Sequence, residues 1–189
     1  LGFLLGVPIN ALADALPARG RPVAPDYLTR RAPLRWRDAA VHVVAAVLFA
    51  FLWAQYESKG LLLVILVSFY ALVLLLVAVT DLEHKMIPDS AILPAIAVAA
   101  LASPLRFGEG WPYALLGGAI GFVFFLSAYW LGGRALGRGA LGFGDVKLAA
   151  FVGLISGFPQ IFVALVVGLF AGGIIGVLLL LSRRATLRT

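Results

Sequence analysis

Seven apolar blocks decide what this chain can fold into. They run Leu1–Leu16, Ala39–Tyr56, Leu61–Thr80, Ala91–Leu105, Trp111–Leu131, Val146–Phe158 and Ile161–Leu181. Most are long enough, or nearly so, to cross a hydrocarbon core of about 30 Å. A backbone inside lipid has no water to bond, so it must satisfy its own N–H and C=O groups as a helix or a closed barrel. A barrel needs short segments of alternating polarity, and these blocks are continuous. The expectation is an all-α, polytopic membrane protein with about seven transmembrane helices, forming a single membrane domain over residues 1–189. The chain opens on Leu1 rather than Met and lacks the basic n-region of a signal peptide, so the first block reads as the remainder of a truncated helix. Composition agrees, at 62% hydrophobic against about 45–50% for a soluble chain.

Two blocks are short. Val146–Phe158 would rise only about 20 Å as a helix, and Ala91–Leu105 contains Pro94, tolerable in a first turn and otherwise a kink. Glycines recur inside the blocks at Gly117, Gly118 and Gly121, and again at Gly168, Gly172, Gly173 and Gly176. Gly168 with Gly172, and Gly172 with Gly176, have the small-xxx-small spacing that lets membrane helices approach closely.

The net charge is +6. In a soluble protein that balance would point to nucleic acid; here the cations lie between apolar blocks and read as a topology signal, so no nucleic-acid partner is expected. With seven crossings and the arginine-rich 17–38 loop in the cytoplasm, Arg19, Arg21, Arg30, Arg31, Arg35, Arg37, Lys85, Arg134, Arg138, Lys147, Arg183, Arg184 and Arg188 fall on one side. Only Lys59 and Arg106 fall on the other, a strong positive-inside pattern. It favours a real crossing by the short Val146–Phe158 block. Trp36, Trp53, Trp111 and Trp130 lie at block ends, as interfacial anchors do. There is no cysteine, which excludes disulfides, cysteine-ligated zinc and thiol catalysis.

The chemistry lies in the acids. Asp14, Asp26 and Asp38 flank or lie in the arginine loop and balance its charge; Glu57 and Glu109 sit in short outer loops. Asp81 closes one apolar block and Asp145 opens another, both at the cytoplasmic level of the expected topology. A carboxylate at the edge of hydrocarbon is costly and is a functional candidate by default. Two carboxylates brought together do not ionise equally: one keeps its proton while the other is charged. That division suits aspartyl proteolysis, with one group activating water and the other protonating the peptide carbonyl. Gly142 and Gly144 permit positive φ and close backbone approach, which would let an extended substrate lie against the loop. A helix N-terminus at Asp145 would favour its charged form and hence the role of base. The plainer readings stay open from residues alone. Asp145 as an N-cap and Asp81 as an interfacial terminator fit equally well. Asp89, after Ile87-Pro88 and before an apolar run, reads as an N-cap. His84 reads as an interfacial polar residue and His42 as a packed one. No metal site and no cofactor is expected.

At these residues the chain resembles the type IV prepilin peptidase family. Val77-Ala-Val-Thr-Asp81-Leu-Glu-His-Lys-Met-Ile-Pro88-Asp89 is similar to the family's first aspartate motif. Gly142-Phe-Gly144-Asp145-Val-Lys147 is similar to its Gly-x-Gly-Asp motif, with the Val-Lys that follows. The resemblance covers about residues 39–182, read as a peptidase core, with a fainter echo over Leu1–Pro17 at Gly6 and Asn10. It implies Asp81 and Asp145 as catalytic aspartates, with Gly142, Gly144, Lys147, Pro88 and Asp89 as supporting motif residues. It further implies an aspartic endopeptidase of the multi-pass cytoplasmic membrane, cutting the short basic leader of prepilin-like proteins at the cytoplasmic face. Partners would be those substrates and membrane lipids. Many bacterial members also carry paired cysteines and methylate the new N-terminus; this chain has no cysteine, and methyl transfer is not carried over. The 17–38 loop then serves as a topology determinant or a lipid-headgroup contact. A presenilin-like intramembrane protease and a proton- or cation-coupled transporter using the same acids are the alternatives.

Overall fold

The computed structural model describes residues 2–15, 36–107, 110–135 and 142–181. Most of the 17–38 loop, the 136–141 segment and the C-terminal arginines lie outside the described residues, and with them most of the cations that orient the chain. The described residues are helical, with no strand among them. In chain order the helices are α1 (Gly2–Ala15), α2 (Trp36–Tyr56), α3 (Leu61–His84), α4 (Asp89–Leu101), α5 (Ser103–Phe107), α6 (Trp111–Ala135), α7 (Phe143–Ser156) and α8 (Gln160–Leu181), with a 3₁₀ turn at Glu57–Lys59 between α2 and α3.

Each apolar block is a helix, with two differences. The block expected at Ala91–Leu105 breaks at Ala102 into α4 and α5, where the Ser103 hydroxyl donates to the Ala100 carbonyl at 2.7 Å. The α4 helix continues through Pro94. At the other end of the previous loop, α3 outruns its apolar block by a full turn, so Asp81 lies inside the helix rather than after it. Among the described residues, three segments are long and apolar enough to cross a membrane by themselves: Trp36–Lys59, Leu61–His84 and Trp111–Arg134. α4 and the Gln160–Phe170 part of α8 are shorter apolar helices. α7, with 14 residues, rises about 21 Å.

α3 is the central strut. One face carries Leu76 and Val79 against Ile9 and Ala13 of α1 and Val41 and Ala45 of α2. A neighbouring face carries Tyr70, Val73 and Val77 against Ile92, Ala95 and Ala99 of α4 and Phe151 and Leu154 of α7. Phe151 is fully buried and meets Tyr70 edge-on, with ring centroids 5.8 Å apart. α4 thus sits beside both α3 and α7 and joins an α1–α2–α3 group to an α6–α7–α8 group.

The most extensive helix pair is α6 on α7. Lipid tails are as apolar as leucine, so membrane helices gain little from hydrophobic burial and pack instead through close van der Waals contact at small residues. A Cβ added at Gly117 would strike the Gly153 backbone, and one added at Gly153 would strike the carbonyl oxygen of Gly117. Gly121 lies equally close to the Ala149 carbonyl. By contrast Gly168 and Gly172 of α8 face open space, so the small-xxx-small pair expected there makes no contact within the described chain. The four tryptophans are all exposed, Trp36 most of all at 85%.

These contacts separate two kinds of glycine. Gly153→Ala is expected to cost about 1–3 kcal/mol, the usual range for overpacking. Gly168→Ala should change stability by less than about 0.5 kcal/mol, as for a surface site. Thermal unfolding in detergent, followed for both variants, checks the difference; equal effects would contradict the α6–α7 packing.

Candidate active site

The two motifs meet because three local features fold them toward one another. α3 ends on Lys85, which adopts the left-handed conformation at φ 52° and donates its N–H to the Asp81 carbonyl at 2.9 Å. The chain then turns through Met86 and Ile87 to the buried Pro88, whose φ of −70° suits the N-cap position that starts α4. Across from it, α7 starts after Gly142, and Asp145 occupies its third position with its side chain accepting the Gly142 N–H at 3.2 Å.

A cleft of about 310 Å³ lies between these parts, lined by Asp81, Lys85, Met86, Ile87, Asp89, Gly142, Gly144 and Asp145. The two aspartates singled out from sequence therefore share one cavity. Asp81 is exposed and Asp145 half-buried. Burial pushes the Asp145 carboxyl above its ordinary value of 3.8, and the negative charge on Asp81 pushes it the same way, while the Gly142 N–H opposes both. The position of Asp145 near a helix N-terminus favours its charged form, but loss of water outweighs that here.

Other site residues behave differently from expectation. Asp89 opens the first turn of α4 but makes no capping bond; Pro88 is the N-cap. The Asp89 carboxylate instead accepts from the Lys147 ammonium at 2.6 Å, across 58 residues of sequence. Gly142 has φ −77°, and neither it nor Gly144 is among the positive-φ residues. Close approach is real at Gly144, yet its partner is Ile87 of the same chain, 3.0 Å from where a Cβ would stand. Gly144 thus brings the two motifs together rather than simply clearing a path for substrate. Lys147 does not line the cleft; its ammonium also lies 5.1 Å from the Phe143 ring centre.

One cluster of charges went unread in the sequence. Arg37, at the start of α2, donates to Asp14 of α1 at 2.8 Å and to both carboxylate oxygens of Glu83 of α3 at 2.8 and 2.7 Å, and also pairs with Asp38. It ties the turn of α3 that bears Asp81 to α1 and α2. Asp14 and Asp38 do balance arginine charge, as expected, but through this one residue. Behind them His42 is buried, with Nδ1 2.6 Å from the Asp38 carbonyl and 3.4 Å from the Asn10 amide nitrogen. Gly6 leaves room for the His42 ring. No cluster of metal-ligating side chains occurs among the described residues.

A model of the type IV leader peptidase family matches residues 68–177, the segment that contains both aspartate motifs. The chain belongs to that family. It is 34% identical over 118 residues to the prepilin leader peptidase/N-methyltransferase of Bacillus subtilis (strain 168), covering 61% of this chain and 44% of that protein. The protein of the same description in Myxococcus xanthus (strain DK1622) is 37% identical over 120 residues, covering 62% and 36%. The one in Stutzerimonas stutzeri is 27% identical over 112 residues, covering 59% and 39%. The chain thus spans less than half the length of these relatives. No solved structure matches it.

The electrostatics of the cleft can be read directly. The Asp145 carboxyl band in infrared titration is expected to persist above the ordinary pH range of an aspartate, and Asp81→Asn should move its midpoint down, because a like charge is removed. The folded state binds this proton more tightly than the unfolded chain. Its contribution to stability is therefore full below about pH 3.8 and lost as pH rises through the folded value. A midpoint indifferent to Asp81→Asn would contradict the shared cleft.

Proposed function

We propose that this chain is an aspartic endopeptidase that cleaves the leader of prepilin-like proteins at the cytoplasmic face of the cell membrane. The observation that carries the reading is the convergence of Asp81 and Asp145, one from each family motif, on one cleft at the ends of α3 and α7. Their unequal environments support a division of roles. Asp81, exposed, is the base: it removes a proton from water as the water oxygen attacks the peptide carbonyl carbon. Asp145, half-buried and with its carboxyl pushed above the ordinary value by burial, is assigned as the acid: it delivers its proton to the carbonyl oxygen. Collapse of the tetrahedral species, with a proton passed to the nitrogen, releases the leader and a new amino terminus. This reverses the roles that a helix dipole alone would assign.

The position of the cleft suits a substrate whose scissile bond lies next to a hydrophobic helix. That helix can remain among lipid while the leader lies in water, so the enzyme need not draw the bond into the bilayer core. A transporter using the same acids would be expected to hold them near the middle of its helices, whereas Asp81 lies in the last turn of α3 and Asp145 in the first turn of α7. The relatives named above are bifunctional by description; for this chain, without cysteine, the proposal is cleavage alone.

Asp81→Asn and Asp145→Asn should each lower cleavage of a prepilin-like substrate by about 10²–10⁴-fold, the usual worth of a positioned acid or base. Both variants should stay folded, since asparagine keeps the shape and can still accept the Gly142 N–H. Normal cleavage by either purified variant would refute the mechanism.

The orientation has its own test. A cysteine introduced at Lys85 should resist an impermeant thiol reagent added to intact cells, while one at Lys59 should react, because the positive-inside pattern puts the cleft in the cytoplasm. Equal labelling would overturn that placement.

A further inference from the structure

The distance between the two aspartates is not set by the helices that carry them. α4 packs on both α3 and α7, and the two meet directly deeper in the bundle, where Tyr70 lies against Phe151. At the cytoplasmic end, two contacts bridge the motifs directly. Ile87 lies against Gly144, and the Lys147 ammonium binds the Asp89 carboxylate at 2.6 Å. The first is a packing contact between side chain and backbone. The second joins charged groups with a defined donor and acceptor.

Lys147 is built to hold this position. Its side chain is 18% exposed, while that of Asp89 is 59% exposed. Its ammonium also sits over the Phe143 ring. That ring is braced edge-on by Tyr129 of α6, with centroids 5.8 Å apart. A continuous run of contacts therefore leads from the α3–α4 turn through Lys147 and Phe143 to α6. Lys147 and Phe143, four residues apart, share one face of α7, whereas Asp145, midway between them, points to the other side. The pair lies beside the dyad, not in it.

We infer that the Lys147–Asp89 ion pair is a clamp that positions the catalytic dyad, holding the turn after Asp81 against the start of α7. This rests on the aspartyl reading of the cleft. Lys147 and Asp89 are positioning residues: Asp89 lines the cleft but its carboxylate is held by the Lys147 ammonium, and the pair acts through the separation of Asp81 and Asp145. A displacement of about 1 Å in a catalytic group is enough to cost up to about 10²-fold in rate. A partly exposed ion pair contributes little to global stability, so its loss leaves the helices assembled while the dyad loosens.

The groups facing Asp145 define the test. They are Asp81 from α3, Lys85 from the turn and Asp89 from the start of α4, which line the cleft with it; Lys147, on the other face of α7, is bound to Asp89, and Tyr129 of α6 lies on that same far side, against Phe143. If Asp89 and Lys147 acted on Asp145 only as charges, their removal would move it in opposite directions. Removing the carboxylate would lower its pKa, and removing the ammonium would raise it. If they clamp, both changes let Asp81 and Asp145 separate and admit water, and both lower it.

The experiment uses the full chain in proteoliposomes with a prepilin-like substrate, comparing Asp89→Asn, Lys147→Met, the double variant and Lys147→Arg. Each single change is expected to lower kcat by about tenfold with KM nearly constant, as for a modest misplacement of the reacting groups. Both should shift the alkaline limb of the rate profile to lower pH. The double variant should be no worse than either single one, and Lys147→Arg should restore most of the rate. Infrared titration of Asp145 in the same variants gives a readout without substrate, with its midpoint falling in both. Opposite shifts, additive losses or an unchanged midpoint would overturn the clamp. An unaltered chain that fails to cleave, with both midpoints still falling, would sink the proteolytic reading and leave the clamp standing.

Discussion

Inside hydrocarbon a peptide group can bond only to another peptide group, and almost everything in this molecule follows from that restriction. It makes every apolar block a helix and forbids a polar loop in the middle of the layer. Chemistry that needs water, charge and an open backbone is therefore driven to helix ends. The cleft forms where one helix has run out and another has begun, so unsatisfied amides, turn residues and carboxylates gather there without any of them having to enter lipid. The price is that the two acids belong to different helices and must be brought into register by packing.

That packing is uneven. α6 and α7 touch backbone to backbone through Gly117 and Gly153, while α3 reaches α7 mainly through α4 and through the Tyr70–Phe151 contact deeper in the bundle. A tight pair and a looser group thus share one cleft, and the looser side carries Asp81. Arg37 steadies that side from α1 and α2 by holding Glu83, two residues after Asp81. Lys147 steadies it from α7 by holding Asp89. The two cations grip opposite edges of the same turn, and both partners are carboxylates that the dyad itself does not use.

How far the sequence could be read depended on the range of the forces involved. Helix positions were legible because lipid imposes them locally, and each block but the divided Ala91–Leu105 appears as one helix within about a turn of its expected limits. Asp81 and Asp145 could be singled out as candidates because a carboxylate at an apolar boundary is expensive wherever the chain goes, and folding brings them to one cleft. Residues whose role depends on a distant partner were not legible. Asp89 has every local mark of an N-cap, yet a lysine 58 residues away claims its side chain. Gly144 looks like a turn glycine, but its lack of a side chain serves Ile87. Arg37 was one arginine among several until folding placed Asp14, Asp38 and Glu83 around it. The break at Ala102 had no signal beyond Pro94 and Ser103 nearby.

The protonation of the dyad shows the same conflict between local and tertiary effects. Read along the chain, Asp145 stands at the start of a helix, where the dipole and the Gly142 N–H both stabilise negative charge. Folding adds partial burial and the field of Asp81, and these favour the proton. The balance goes to burial because it strips water from the carboxylate itself, whereas a helix terminus near solvent is worth only about 0.3–1 kcal/mol. Asp81, open to solvent at the end of α3, suffers no comparable loss of water. Two identical side chains are therefore given unequal environments by geometry alone, which is what the proposed division into acid and base draws on. The same geometry makes the pair sensitive to anything that moves α7 against the α3–α4 turn, since a small separation both readmits water to Asp145 and weakens the field that keeps its proton in place.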